Sequence, residues 1–247
     1  MITMDLLKKY DTAFFEKDLS VFSIFLEKRQ ICQFLKYYEL LIEKNKVMNL
    51  TAITEYEEVI KKHFVDSLSI ASCIDLSKYF TLIDVGTGAG FPGIPLKIAF
   101  PNLKITLLDS LKKRVDFLNE VIEQLELTEI EAVHGRAEDF AKPDKLRETY
   151  DICVSRAVAN LATLSEYCIP FVKVGGVFGP YKSEKVTEEL ETGKKAVNLL
   201  GCRLVSRKDF LLPNSDINRT IVLFQKEKET PKKFPRKAGL PSKEPLH

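Results

Sequence analysis

The chain has 247 residues, 37 Lys plus Arg against 35 Asp plus Glu for a formal net charge of +2, with 45% hydrophobic and 29% charged residues. That length supports one large domain or a domain with an appendage, with ample material for a core. Eleven Gly, eleven Pro and five Cys exclude collagen, low-complexity disorder and a disulfide scaffold, and the near-balanced charge by itself suggests no polyanion partner.

No run of about eighteen uncharged apolar residues occurs, which excludes a transmembrane helix. Asp5 and Lys8 fall where a signal peptide needs its apolar run. Cys32, Cys73, Cys153, Cys168 and Cys202 are scattered, odd in number and without a C-x-x-C pair, beside only three His. They read as small buried hydrophobes rather than disulfide or metal ligands, with no metal expected and the cytoplasm as the expected compartment. Asn49-Leu50-Thr51 matches a glycosylation acceptor, which a chain read as cytoplasmic does not use.

Residues 1–70 read as a helical extension or cap. From Ile31 the apolar Phe34, Leu35, Tyr38, Leu41 and Ile42 recur at three- and four-residue spacing. Thr54 with Glu57 resembles a capping box opening a second helix through His63 and Leu68. No Gly precedes Gly86, which predicts few sharp turns in this region. Residues 71–226 then alternate strand and helix. Strands are expected at 81–85, 104–109, 130–133, 150–155 and 176–181. Helices are expected at 92–100, along Val115, Leu118, Ile122 and Leu125, over 161–171, and from Val186 to a stop at Gly201. Two late runs, 203–210 and 220–225, read as a final strand pair. The alternation predicts an α/β fold, a doubly wound and mostly parallel sheet with an antiparallel C-terminal hairpin, plus the N-terminal helical extension. The segment 227–247 reads as a basic, Pro-rich tail. Counted from Lys226 it has seven Lys or Arg, three acids and four Pro, whereas 30 basic and 32 acidic residues precede it. Such a composition buries little alone and orders only against something else.

Asp84-Val85-Gly86-Thr87-Gly88-Ala89-Gly90 is the strongest local signal. A strand delivers glycines to its carboxyl end, where backbone can approach a ligand that a Cβ would block. Asp109, 23 residues after Gly86, ends the next strand, where a carboxylate can accept from both hydroxyls of a ribose. Gly88 to Gly93 also satisfies G-x-G-x-x-G, the dinucleotide fingerprint. Asp84 sits directly before the loop, however, giving the D-x-G-x-G-x-G pattern of class I (Rossmann-like) methyltransferases. Pro92 and Pro95 also remove amide donors that would hold a pyrophosphate. S-adenosyl-L-methionine, a sulfonium without phosphates, is therefore the expected cofactor, with Asp84 and Phe91 supplying an acidic and aromatic surround. Ala137-Glu138-Asp139 follows the third strand at the same edge and is placed to line adenine; a helix N-terminus attracting acids is the plainer alternative. Arg156 ends the fourth strand beside the expected transfer centre, with a structural ion pair as the alternative. An NAD-dependent oxidoreductase or a small-molecule methyltransferase remains the alternative function on the same fold.

The motifs VMNLTAI (47–53), KHFVDSL (62–68), DVGTGAGFPGIPLKI (84–98), DSLKKRVDFL (109–118), GRAED (135–139), SRAVA (155–159) and TPKKFPRKAGLPSKEPL (230–246) resemble those of the RsmG, or glucose-inhibited division protein B, family. The GFPG extension and the PRKAG-P tail are the particular features. The resemblance implies a bacterial enzyme that methylates N7 of a guanine in the 530 loop of 16S ribosomal RNA, using S-adenosyl-L-methionine. It implies cofactor contacts at Gly86, Gly88, Phe91, Asp109, Ser110, Leu111, Ala137, Glu138 and Arg156. Guanine N7 bears an in-plane lone pair and no proton, so no acid–base residue is expected, only a positioning role for Arg156. RNA grip is expected from Lys232, Lys233, Arg236 and Lys237, with Phe234 as a stacking platform. The expected partner is 16S ribosomal RNA or the small ribosomal subunit, with no membrane, and the chain is read as a monomer. His63 and Asp66, three residues apart on one helix, either face the pocket or form a helix-surface contact, the second being the favoured reading.

Overall fold

Seven strands form one sheet in the order β3-β2-β1-β4-β5-β7-β6. They are β1 Thr81–Val85, β2 Lys104–Asp109, β3 Ile130–His134, β4 Tyr150–Arg156, β5 Val172–Lys182, β6 Cys202–Leu211 and β7 Asn218–Lys226. The first five pair in parallel; β7 inserts antiparallel between β5 and β6. This computed structural model describes residues 5–156, 158–182 and 186–246.

Period-two alternation along the strands divides the core. Leu82, Ile152 and Val154 face one apolar layer, while Ile83, Val85 and Cys153 face the other. Both faces are covered, as a parallel sheet requires. The first layer is built with the N-terminal helices Ala13–Ser20, Lys28–Met48 and the segment 56–68. Phe15, Phe34, Tyr37, Phe64 and Phe91 meet there ring against ring, at centroid distances of 5.1–6.4 Å. Each fully buried ring of this kind contributes about 2 kcal/mol. The second layer is built with the helices Leu161–Cys168 and Val186–Leu199. No described helix is long and apolar enough to cross a membrane.

Several elements differ from the sequence reading in physically informative ways. The turns of the glycine-free N-terminus are made by Ser23 and Asn49 at φ 58° and 50°. Asn49 ends the Lys28–Met48 helix in the left-handed conformation, the non-glycine residue type best suited to it. The Thr54–Glu57 capping box does not form. The helix begins at Tyr56 with Glu55 as its cap, runs α-helical to Val59, π-helical over Ile60–Val65, and α-helical again over Asp66–Leu68. The helix expected to run through Phe171 closes as a 3₁₀ turn, Ile169–Phe171, and β5 begins at Val172, earlier than Gly176.

The segment after Lys226 is ordered against the chain's own body. Phe234 is 4% exposed, within the second apolar layer. Arg147 donates to the carbonyls of Thr230 and Phe234. Lys226 Nζ, fully buried, donates to Thr230 Oγ1 at 2.6 Å and to the Ile169 carbonyl at 3.0 Å, with Glu148 Oε1 at 3.1 Å. Arg236 meets Glu166, 0% exposed, through its backbone amide, Nε and Nη2 at 2.6–3.1 Å. A short helix, Leu240–Lys243, then lies on the Leu161–Cys168 helix, whose Thr163 hydroxyl donates to the Pro241 carbonyl.

Candidate functional site: a glycine loop and an adjoining charged cleft

The carboxyl ends of β1 and β2 are tied together by backbone amides and two carboxylates. The Gly86 amide donates to the Leu108 carbonyl at 2.8 Å, and Gly86 adopts φ +71°, a conformation costly for a residue with a Cβ. Asp109, buried at the end of β2, accepts from the Gly88 amide through Oδ2 at 2.9 Å and from the Leu111 amide through Oδ1 at 2.9 Å. Its carboxylate is therefore fixed between the loop and Ser110–Leu111, with Arg114 at 3.4 Å on the outer side.

Asp84 plays a different part from the one expected of it. It is 0% exposed, and its Oδ2 accepts from Thr87 Oγ1 at 2.7 Å and from the Gly93 amide at 2.8 Å, so it braces the loop from below instead of lining a ligand surface. Burial pushes its carboxyl up to about 6, against the pull of Thr87, the Gly93 amide and Arg156. Its Oδ1 is a buried acceptor without a hydrogen-bond partner among the described residues. The Gly93 amide, at the start of the Gly93–Ala99 helix, is thereby committed to a carboxylate rather than held out toward a phosphate.

Beside the loop lies a pocket of about 160 Å³ lined by Gly86, Ser110, Ala137, Glu138, Val158 and Tyr167, among others. Glu138 is 6% exposed, on the short helix Ala137–Phe140. Glycine at 86, an apolar floor from Val85 and Leu108, the Glu138 carboxylate and the polar side chains of Ser110, Arg136 and Tyr167 line this cradle, and Asp109, 3% exposed, is fixed at the end of β2 next to it. Such a cradle fits an adenosine: hydroxyls and an exocyclic amine to donate, an aromatic face to bury, and no phosphate to satisfy.

Val158 lines that pocket, whereas Arg156 and Ala159 line a second cleft of about 470 Å³, with Lys62, His63, Asp66, Lys182 and Arg219 among its other residues. Of the two readings of His63 and Asp66, the pocket and not the favoured surface contact fits: His63, on the π-helical segment, and Asp66, directly after it, both line this cleft. Asp66 holds two cations, Arg156 Nη1 at Oδ2 (3.0 Å) and Arg219 Nε at Oδ1 (2.8 Å). Arg156 also donates to the Lys62 carbonyl, and its Nη2 lies 3.4 Å from His63 Nδ1. His63 Nε2 meets Thr51 Oγ1 at 2.8 Å, and Thr51 is held in turn by both amide atoms of the Asn45 side chain. Burial first, then the Arg156 guanidinium, pushes the His63 imidazole down to about 4, which keeps it neutral at physiological pH. A neutral ring beside a guanidinium presents Nδ1 as acceptor and leaves Nε2–H to donate to Thr51. Phe91, 7% exposed, stacks on His63 at 4.6 Å and carries the Arg156 guanidinium over its face at 5.1 Å. The cation expected over Phe91 is therefore supplied from within the chain.

The tail cations divide. Lys232, Lys233 and Lys237 are exposed, whereas Arg236 is the partner of Glu166 and Phe234 is buried, so neither of these two presents a free face to RNA. Arg219, Tyr181, Lys182 and Glu189 of the cleft carry no local motif in the sequence; the pairing of β4, β5 and β7 brings the first three together, and Glu189 of the Val186–Leu199 helix joins them by pairing with Lys182 at 2.6 Å.

The chain matches the GidB family, described as rRNA small subunit methyltransferase G, over residues 30–218. It is 56% identical to the ribosomal RNA small subunit methyltransferase G of Lachnoclostridium phytofermentans over 96% of this chain and 98% of that one. It is 51% identical to the protein of the same description from Bacillus cereus over 94% and 97%. A chain of the solved complex between the Haloferax volcanii Trm112 methyltransferase activator and a methyltransferase superposes with a TM-score of 0.55 at 12% identity, covering 76% of this chain and 98% of that one; this is a likeness of fold.

Proposed function

The chain belongs to the ribosomal RNA small subunit methyltransferase G family, and from that premise we propose that it transfers the methyl group of S-adenosyl-L-methionine to N7 of a guanine in the 530 loop of 16S ribosomal RNA. The observation that carries the reading is the adjacency of two compartments, the pocket beside the glycine loop lined by Val158 and the larger, cation-rich cleft lined by Arg156 and Ala159. One compartment suits a nucleoside cofactor and the other an unstacked base on a polyanion.

When bound, the cofactor supplies an electrophilic methyl group on a sulfonium. Gly86 and Gly88 let backbone come close to it, Asp109 accepts from its ribose, and Ser110, Leu111, Ala137 and Glu138 enclose its base. Asp84 and Phe91 hold the loop and Arg156 in place from beneath. Guanine N7 is nucleophilic as it stands, so no group of this chain needs to remove a proton, and the contribution of the protein is alignment and electrostatics. Arg156 is held by Asp66, His63, the Lys62 carbonyl and the Phe91 face, and so presents a fixed cation in the lining of the cleft. Lys62 and Arg219, each ion-paired on one side with Glu58 and Asp66 but partly exposed in the cleft, suit guanine O6 and neighbouring phosphates while leaving the N7 lone pair for the methyl group. N7 lies on the major-groove edge, inaccessible within paired RNA, so the base must be unstacked to enter. The exposed Lys232, Lys233 and Lys237 add phosphate contacts from the tail.

The test is methyl transfer from labelled S-adenosyl-L-methionine to small-subunit RNA or subunits by the purified protein. Label recovered as 7-methylguanosine in the 530 loop supports the reading. Label on another base or position, or none from an active preparation, removes it.

A further inference from the structure

The tail was read as an RNA handle, but its course leads to the cofactor side of the molecule. The Gly239 amide donates to Glu138 Oε1 at 2.8 Å, and Glu138 supplies a carboxylate to the lining of the 160 Å³ pocket. Gly239 sits at φ +82°, a left-handed conformation natural to glycine, at the head of the Leu240–Lys243 helix. Both flanks of this contact are fixed. Before it, Phe234 is buried and Arg236 closes a multidentate pair on Glu166, a residue of the Leu161–Cys168 helix that is itself 0% exposed. After it, Pro241 is held by the Thr163 hydroxyl of the same helix, and Tyr167 of that helix lines the pocket. The last turn of the tail is thus pinned on both sides of one backbone amide, and that amide is aimed at a pocket carboxylate.

A carboxylate on a four-residue helix has rotamers of its own to lose on binding a ligand. A charge-assisted bond to one oxygen removes that freedom in advance and fixes the plane of the group. We propose that the C-terminal segment is part of the cofactor site: Gly239 is a positioning residue that orients Glu138 so that its carboxylate accepts from the exocyclic amine of the adenine. The inference rests on the cofactor reading above and adds to it a function for the tail that is separate from RNA contact.

The experiment measures the affinity of S-adenosylhomocysteine and of its inosine analogue, in which oxygen replaces the exocyclic amine, by calorimetry. The proteins are the full chain, a chain ending at Ala238 that keeps the Phe234 and Arg236 anchors, Glu138→Ala, and the combination of the last two. Gly239→Pro, which removes the N–H and also bars φ +82°, replaces the truncation should the shortened chain fail to fold, with Gly239→Ala, which keeps the N–H at a strained φ, as its control. The full chain is expected to prefer the adenine ligand about tenfold, the value of a well-placed charge-assisted hydrogen bond. Truncation and Glu138→Ala should each abolish most of that preference, and their combination should add nothing further. An unchanged preference in the truncated or Gly239→Pro chain, or additive losses in the combination, overturns the inference while leaving the cofactor reading intact. Failure of the full chain to bind S-adenosylhomocysteine overturns the cofactor reading, and the inference with it.

Discussion

The two halves of the site are built by opposite means. The cofactor half is backbone held by carboxylates: the amides of Gly88 and Leu111 fix Asp109, and that of Gly93 fixes Asp84, all within 28 residues of chain from Asp84 to Leu111. The cleft half is side chain held by side chain. Asn45, Thr51, His63, Asp66, Arg156 and Arg219 form one series of contacts across 175 residues of sequence. A backbone cradle tolerates change everywhere except at its few carboxylates and glycines. A side-chain network fails when any central member is removed, because each supplies another's counter-charge.

That contrast orders the expected effects. Asp66→Ala is expected to cost the most, about 3 kcal/mol or more of unfolding free energy in urea titrations, since Arg156 and Arg219 both lose a buried partner. Asp66→Asn should cost less and still impair methyl transfer, which distinguishes the charge from the shape. Asp109→Ala should lower cofactor affinity by about 3 kcal/mol, or more than a hundredfold in Kd, and should cost the unliganded protein about 1–2 kcal/mol, less than Asp66→Ala, because the Gly88 and Leu111 amides lose their acceptor. Equal losses of stability from the two substitutions would erase the distinction between the halves.

Asp84 gives a smaller effect with a definite sign. Its carboxyl lies near 6 in the folded protein and 3.8 outside it, so between these values the native state holds a proton that the unfolded chain has released. Stability contributed by this group is therefore complete below about pH 4 and lost as pH rises through 6, a swing of about 2–3 kcal/mol. Asp84→Asn, which keeps an acceptor for Thr87 and Gly93, should flatten this part of the stability-versus-pH curve. His63 acts in the opposite direction: lowered to about 4 from 6.5, it contributes stability present above 6.5 and lost as pH falls toward 4, so the Asp84 effect is best read as the difference between the wild type and Asp84→Asn. The smallest structural effect is expected of Lys232→Ala/Lys233→Ala/Lys237→Ala: the melting temperature should hardly move, while the salt dependence of RNA binding should weaken by about two units of slope. Phe234→Ala in the same tail, by contrast, should cost about 3 kcal/mol of stability, as loss of a buried ring does.

The same contrast explains what could be read without coordinates. The strands and the mostly parallel sheet were legible because their determinants are local: short apolar runs separated by helix-period segments, with glycines closing the first strand and an acid closing the second. The hairpin was legible because two strand-like runs follow one another without a helix. The cleft was legible only in pieces. His63 and Asp66 read more readily as a surface pair because i,i+3 spacing on an α-helix says nothing of what covers it, and the π-helical stretch that carries His63 has no sequence signature of its own. Arg219 lies on β7 and meets Asp66 across 153 positions. The tail misled through its composition. Charge and proline argue against burial on average, but Phe234, Arg236 and Thr230 are individually buried or paired against Glu166, Glu148 and Arg147.

The central claim is that the paired compartments serve methylation of a ribosomal guanine at N7. The most direct measurement is mass spectrometry of small-subunit RNA from cells with the gene, without it, and with the gene carrying Asp109→Ala. The account predicts one 7-methylguanosine in the 530 loop that is present in the first and absent from the other two. A modification that persists without the gene, or the loss of a different one, would contradict it.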